Sequence, residues 1–104
     1  MEEFGLSEKT INLIRNFFKL YPQVEEVKIY GSRAKGNYKR GSDIDFAVFG
    51  DCEDIIGKLS AGLDELPTPY KFDVTDYNSL THQPLKDHID RVGKLFYKKE
   101  NKNE

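Results

Sequence analysis

Two aspartates separated by one residue, Asp43 and Asp45, are the side chains whose spacing most directly suggests chemistry. They open the apolar run Asp-Ile-Asp-Phe-Ala-Val-Phe, which predicts a buried strand over residues 43–49. Side chains alternate between the two faces of a strand, so both carboxylates project from the same face. Neighbouring carboxylates repel each other and lose hydration unless a cation lies between them. The pair therefore predicts a metal site, and Mg²⁺ is the natural ion because it prefers hard oxygen ligands.

A third carboxylate, Asp73, lies within the strand predicted over residues 71–75. Its apolar neighbours on either side in the sequence point to the opposite face, so Asp73 is free to join the pair if the two strands are adjacent. Two ions about 3.5 to 4 Å apart, bridged by the pair, suit an in-line phosphoryl or nucleotidyl displacement. Asp76 is the alternative third carboxylate, although on a regular strand it faces away from Asp73.

A glycine followed by a serine precedes the aspartates. Gly31 has no side chain, so backbone N–H groups and the Ser32 hydroxyl can approach an anion closely. Residues 31–42 include four basic side chains and no acidic ones, and two of these, Arg33 and Lys35, closely follow the serine and add positive charge. Hydrogen-bond donors for phosphate beside metal-binding carboxylates fit one ligand, a nucleoside triphosphate.

Each of these features also has an ordinary structural interpretation. A glycine-serine step alone is typical of a turn that ends a strand. Basic residues in a loop are frequently no more than solvated, which is an equally good interpretation of Lys39 and Arg40. The functional interpretation depends on finding the glycine-serine step and the aspartate pair together.

The elements that must position these groups indicate a mixed α/β (α+β) domain. Apolar spacings of three and four residues predict helices over 7–21, 53–66 and 84–92. Runs rich in β-branched residues predict strands over 24–30, 43–49 and 71–75, with a short edge strand over 95–97. We expect a small mixed sheet with helices packed against it. Residues 1–98 are expected to form the one domain, and residues 99–104 a charged, frayed tail.

Composition narrows the class of protein. A chain of 104 residues has room for one small domain. Its formal net charge of -2 argues against direct binding to nucleic acid, which requires a surplus of basic side chains. Its single cysteine, Cys52, cannot form an internal disulfide, which fits a reducing compartment. With neither a signal peptide nor an apolar run of membrane-spanning length, the sequence predicts a cytoplasmic protein without membrane contact.

The Gly-Ser-Arg-Ala-Lys-Gly run at residues 31–36 and the Ser-Asp-Ile-Asp-Phe run at residues 42–46 resemble the signature of the polymerase-β-like nucleotidyltransferases. They are most similar to the minimal members, the MNT group, and the resemblance covers essentially the whole chain. It implies a polymerase-β-like nucleotidyltransferase fold. It also implies that Asp43 and Asp45 bind two Mg²⁺ ions, and that Asp73 shares one of them and helps to deprotonate the acceptor hydroxyl.

The same resemblance implies that Gly31 and Ser32 hold the β- and γ-phosphates of ATP or another nucleoside triphosphate, and Ser42 of the second run is expected in the nucleotide-binding set. Two departures are small, because Phe46 stands where the family commonly has leucine and Lys35 where arginine is common. A larger departure is that no second, acceptor-binding domain is present. The choice of acceptor is therefore left open by the sequence.

The resemblance to the minimal members also implies a partner, because these members look like partners of HEPN-domain proteins, usually as the antitoxin of a toxin-antitoxin pair. The resemblance implies transfer of NMP, AMP from ATP, to a hydroxyl of such a partner within a hetero-oligomer. Two alternatives stay open. In the first, the domain neutralises a HEPN partner by binding alone. In the second, it transfers a nucleotide to a small molecule, and an oligomer would then have to supply the acceptor pocket.

Overall fold

A computed structural model describes residues 3–100 of the chain as four helices and four strands. It also has short 3₁₀ turns at Glu53–Ile55 and Tyr77–Ser79. In chain order the main elements are α1 (Glu8–Phe18), β1 (Val24–Tyr30), α2 (Ser32–Lys35), β2 (Ile44–Gly50), α3 (Ile56–Asp64), β3 (Phe72–Asp76), α4 (Gln83–Val92) and β4 (Lys94–Lys98).

The strands form one mixed sheet in the order β3-β2-β1-β4. β1 is antiparallel to both β2 and β4, whereas β2 and β3 are parallel. Parallel neighbours require a crossover connection, and α3 supplies it. The mixed α+β class expected from the sequence is confirmed.

Helices cover both faces of the sheet. α1 and α3 pack on one face and build the larger core, which includes Ile14, Phe18, Phe46, Leu59, Leu63 and Phe96. The other face carries a smaller core of Tyr30, Ala47 and Ile89, the last contributed by α4. Because the central strand β2 is buried on both faces, it reads in the sequence as an almost continuous apolar run. Its Asp45 lies on the face of the smaller core.

The first helix begins where the sequence indicates and ends sooner. The Ser7 side chain accepts a hydrogen bond from the backbone N–H of Thr10 at 3.2 Å, so Ser7 is the N-cap. The helix ends at Phe18 rather than Tyr21, because the backbone N–H of Tyr21 already donates to the Phe18 carbonyl three residues back. That tighter turn closes the helix before Pro22 would interrupt it.

The other predicted elements are present with bounds that differ by a few residues. The helix expected over 53–66 divides into a 3₁₀ turn and α3. Near the end of the chain, the backbone N–H of Lys99 donates to the Glu25 carbonyl at 2.9 Å. Residues 101–104 of the expected tail lie outside the described residues. Within residues 3–100, every helix is too short or too polar to cross a membrane.

Close packing between α1 and α3 generates a stability prediction. A Cβ atom at Gly62 would lie 2.5 Å from a ring carbon of the buried Phe17, whereas a Cβ at Gly57 of the same helix meets nothing within 4 Å. Gly62→Ala should therefore lower the free energy of unfolding by about 1–3 kcal/mol through overpacking. Gly57→Ala, the matched control, should raise it by up to about 1 kcal/mol. Urea denaturation of both variants checks this, and equal effects would contradict it.

Candidate active site

The sheet register places two of the expected carboxylates side by side. Asp45 of β2 and Asp73 of β3 are direct partners in the parallel pairing, so their side chains leave the same face of the sheet. Asp45 is half-buried and Asp73, on an edge strand, is exposed. Asp43 lies one residue before β2 and is also exposed. The result is a cluster of acidic side chains at one end of two neighbouring strands.

The carboxylates interact through their charges. Burial, followed by the nearby charges of Asp73 and Asp43, raises the pKa of Asp45 from an ordinary value of 3.8 to about 6. All three causes disfavour the ionised form of Asp45. A cation at this position would oppose the two causes that arise from Asp73 and Asp43, because it would offset the repulsion between the carboxylates.

Asp76 occupies a different place from the three. It is the register partner of Val48, three positions further along β3 than Asp73, and so it faces the opposite side of the sheet. One of its carboxylate oxygens accepts a hydrogen bond from the Ser79 hydroxyl at 2.8 Å. The register therefore favours Asp73 over Asp76 as the neighbour of Asp45.

Gly31 brings the turn after β1 directly against Asp45. Its backbone has φ 75° and ψ -153°, a conformation that side chains with a Cβ atom rarely adopt. A Cβ at this position would also collide with the Oδ2 atom of Asp45. The missing side chain therefore makes room for a carboxylate as well as allowing the turn. Ser32 follows as the first residue of α2 and is half-buried.

The expected basic residues are placed differently from one another. Lys35 is exposed at the last position of α2. Arg33, expected from the sequence to add charge at the phosphate site, is instead buried with 3% exposure. Its guanidinium donates to the backbone carbonyls of Phe4, Arg40 and Ser42.

Ser42 closes the loop that leads to the aspartates. Its hydroxyl accepts a hydrogen bond from the backbone N–H of Lys39 at 2.8 Å, and its own N–H donates to the Lys39 carbonyl at 3.0 Å. The side chain expected to contact the nucleotide thus makes a local turn contact in this structure. The structure therefore brings Gly31, Asp45 and Asp73 together, whereas the Arg33 and Ser42 side chains make hydrogen bonds to the backbone.

The buried Tyr30 side chain also lies beside the carboxylates. Tyr30 is the antiparallel partner of Asp45, and its hydroxyl lies 3.1 Å from that of Thr75 on β3. To reach Thr75 it crosses β2, where the small side chain of Ala47 lies on the same face. Burial, and then the charges of Asp73 and Asp45, raise the pKa of the Tyr30 hydroxyl, while its hydrogen bond to Thr75 opposes the shift. Only the register reveals this neighbourhood.

The carboxylates fit a hard cation whose remaining ligands come from other groups. Among residues 3–100, no three His, Cys, Asp or Glu side chains form a ready-made metal cage. Mg²⁺ is commonly held by one or two carboxylates together with substrate phosphates and waters, so it does not need such a cage. The paired oxygens of Asp45 and Asp73, with the Gly31 backbone alongside, fit this kind of site.

The raised pKa of Asp45 yields a prediction about pH and metal. Because the folded pKa lies above the ordinary value, the unfolded chain loses its proton first, and the stability of the metal-free protein should fall as pH rises from about 4 to about 6. Mg²⁺ should then raise the melting temperature more at pH 7.5 than at pH 5, because it competes with the proton on Asp45.

Thermal unfolding followed by circular dichroism, with and without Mg²⁺ at both pH values, checks this. Asp45→Asn should lose most of the metal effect, whereas Asp64→Asn, at the exposed end of α3, should keep it. A metal effect of the same size at both pH values, or one that survives in Asp45→Asn, would count against a shared carboxylate site.

With the fold and the carboxylate site in view, the class of protein follows. Residues 12–102 match the model of the family "Polymerase beta, Nucleotidyltransferase", and the chain belongs to this family. Several solved structures similar to the chain are of toxin-antitoxin pairs. The resemblance stated from the motifs is thereby confirmed.

Three solved structures illustrate the likeness. A toxin-antitoxin with AMP-PNP is 25% identical, with a TM-score of 0.58 over 88% of this chain and 73% of that one. A mutant of the toxin-antitoxin MntA-HpeT is 26% identical, with a TM-score of 0.62 over 86% and 71%. A tri-AMPylated Shewanella oneidensis HEPN toxin in complex with MNT antitoxin is 22% identical, with a TM-score of 0.50 over 88% and 68%, and supports the fold alone. No curated protein matches the chain.

Proposed function

We propose that this chain is a Mg²⁺-dependent nucleotidyltransferase that transfers AMP from ATP to a hydroxyl of a HEPN-domain protein, as the antitoxin of a HEPN/MNT pair in the cytoplasm. The observation that carries the proposal is the register of Asp45 with Asp73 beside the Gly31 turn. Membership of the nucleotidyltransferase family supports the reaction class. The AMP-PNP and the toxin named with two of its structural neighbours support the nucleotide and a toxin as the partner.

The carboxylates have separate roles in this proposal. Asp43, Asp45 and Asp73 would hold two Mg²⁺ ions, which when bound offset the charge of the triphosphate and of the oxygens that attack and depart. Asp45 is half-buried on β2, which lies between β1 and β3. Asp73 is exposed on the edge strand, where an incoming hydroxyl can reach it. It is therefore the group that accepts the proton of the acceptor hydroxyl.

The reaction balances with these groups. The acceptor oxygen bonds to the α-phosphorus of ATP as the bond from that phosphorus to the bridging oxygen breaks. Pyrophosphate carries away the electron pair, and the acceptor proton passes to Asp73. Gly31 and Ser32 hold the β- and γ-phosphates, with Lys35 adding charge from the exposed end of α2. The short helix contributes backbone donors at the turn.

The open edge of the sheet fits a protein acceptor. Both Asp73 and Asp43 are exposed, and β3 has no strand beyond it within residues 3–100. A macromolecular acceptor can bring its own hydroxyl to such an edge, whereas a small molecule would need an enclosing wall. The formal net charge of -2 also favours a protein over a nucleic acid as the partner.

Transfer of labelled AMP to a purified HEPN partner tests the proposal. Asp43→Asn and Asp45→Asn should each reduce the rate by about 100-fold or more, because a metal ligand is lost. Asp54→Asn, at an exposed position of the turn before α3, is the matched control and should keep the rate. Undiminished transfer by the first two variants would overturn the catalytic assignment.

The intact mass of the partner after co-expression separates catalysis from binding alone. The proposal predicts that the partner gains the mass of one or more AMP groups with the wild-type chain and none with Asp45→Asn. An unmodified partner in a stable complex with the wild-type chain would instead support a module that neutralises by binding.

A further inference from the structure

We propose that Arg33 is a positioning residue whose guanidinium sets the distance between the phosphate-binding turn and the metal-binding aspartates. This inference rests on the proposed function and assigns Arg33 a different role from the phosphate contact that the sequence suggests. Arg33 lies one residue after Ser32, and the carbonyl that it binds most closely is that of Ser42, one residue before Asp43. A single side chain thus links the two halves of the site.

The hydrogen bonds of Arg33 form a fork on that carbonyl. Its Nη2 donates to the Ser42 oxygen at 2.9 Å and its Nε donates to the same oxygen at 3.2 Å. Nη2 also donates to the Arg40 carbonyl at 3.3 Å, and Nη1 donates to the Phe4 carbonyl at 3.0 Å. These four contacts occupy most of the five N–H groups of a guanidinium. Little donor capacity is left for a phosphate.

Two aromatic rings add to the confinement of the guanidinium. The Tyr38 and Tyr70 rings have their centroids 5.2 Å and 4.9 Å from the central carbon of Arg33. Contacts of this kind favour a delocalised cation over an ammonium. Only 3% of the Arg33 surface is exposed, and among residues 3–100 no other charged residue is buried. Burial on this scale requires the carbonyl and ring contacts that it makes.

The loop that Arg33 holds has little other structure. Residues 36–41 between α2 and β2 are all exposed and contain no regular element. A loop of this kind samples many conformations unless side-chain contacts restrict it. Restricting it at the Ser42 carbonyl fixes where the chain enters β2, and so where Asp43 starts.

Arg33→Gln and Arg33→Lys test the inference with AMP transfer to the HEPN partner. Lysine keeps the charge but cannot form the fork, so both variants should lower kcat by about 10- to 100-fold while KM for ATP changes by less than about threefold. Arg40→Gln, which removes an exposed charge from the same loop, is the matched control and should stay close to wild type. A large rise in KM that Arg33→Lys reverses would show a phosphate contact and overturn the inference.

Hydrogen exchange of the Ser42 amide supplies a readout that does not depend on transfer. The amide donates to the Lys39 carbonyl, and its exchange should quicken about tenfold or more in the Arg33 variants. If the wild-type chain fails to transfer AMP, the proposed function fails while this readout still decides the role of Arg33. Should Arg33→Gln not fold, the more conservative Arg33→Lys keeps the charge but not the fork and supplies the same readout. Unchanged Ser42 exchange in that folded variant would overturn the inference.

Discussion

The contact between the Gly31 backbone and the Asp45 carboxylate is the constraint on which the site depends. It requires a residue without a Cβ at the end of β1 and an acidic residue on the neighbouring strand at the same level. The contact brings a turn rich in backbone donors against a carboxylate whose pKa is raised to about 6 by burial and by its acidic neighbours. In the proposed function a divalent cation with a triphosphate would satisfy both sides at once, since the carboxylates would bind the cation and the turn would bind the phosphates.

The rest of the fold serves to hold that contact in place. The antiparallel pairing of β1 with β2 sets Tyr30 beside Asp45, and the crossover through α3 returns the chain so that Asp73 lies on the other side. Helices α1 and α3 bury the opposite face of the sheet, so the strands that carry the site are supported from behind. Hydrogen bonds from Arg33 restrict the loop that joins the Gly31 turn to the aspartates of β2. The exposed edge at β3 remains available to a second protein.

Local patterns were sufficient to predict the three longer helices and the four strands, because each of them depends on neighbours in sequence. The apolar spacing of α1 and the apolar run of β2 both follow from neighbouring residues, and the structure contains each of these elements. The partners of Arg33 and Tyr30 could not be predicted in the same way. An arginine in a sequence does not show whether its guanidinium is buried or exposed. The carbonyls that accept hydrogen bonds from Arg33 lie up to 29 residues away along the chain. Likewise, the adjacency of Tyr30, Asp45 and Asp73 depends on strand order and register.

Calorimetric titration of the chain with ATP, in Mg²⁺ and in EDTA, tests the central claim that carboxylates and turn form one site for metal and triphosphate. We expect ATP to bind at least about tenfold more tightly in Mg²⁺ than in EDTA, and we expect this difference to disappear in Asp45→Asn. Equal affinity in Mg²⁺ and in EDTA, or a Mg²⁺ effect that Asp45→Asn retains, would contradict it.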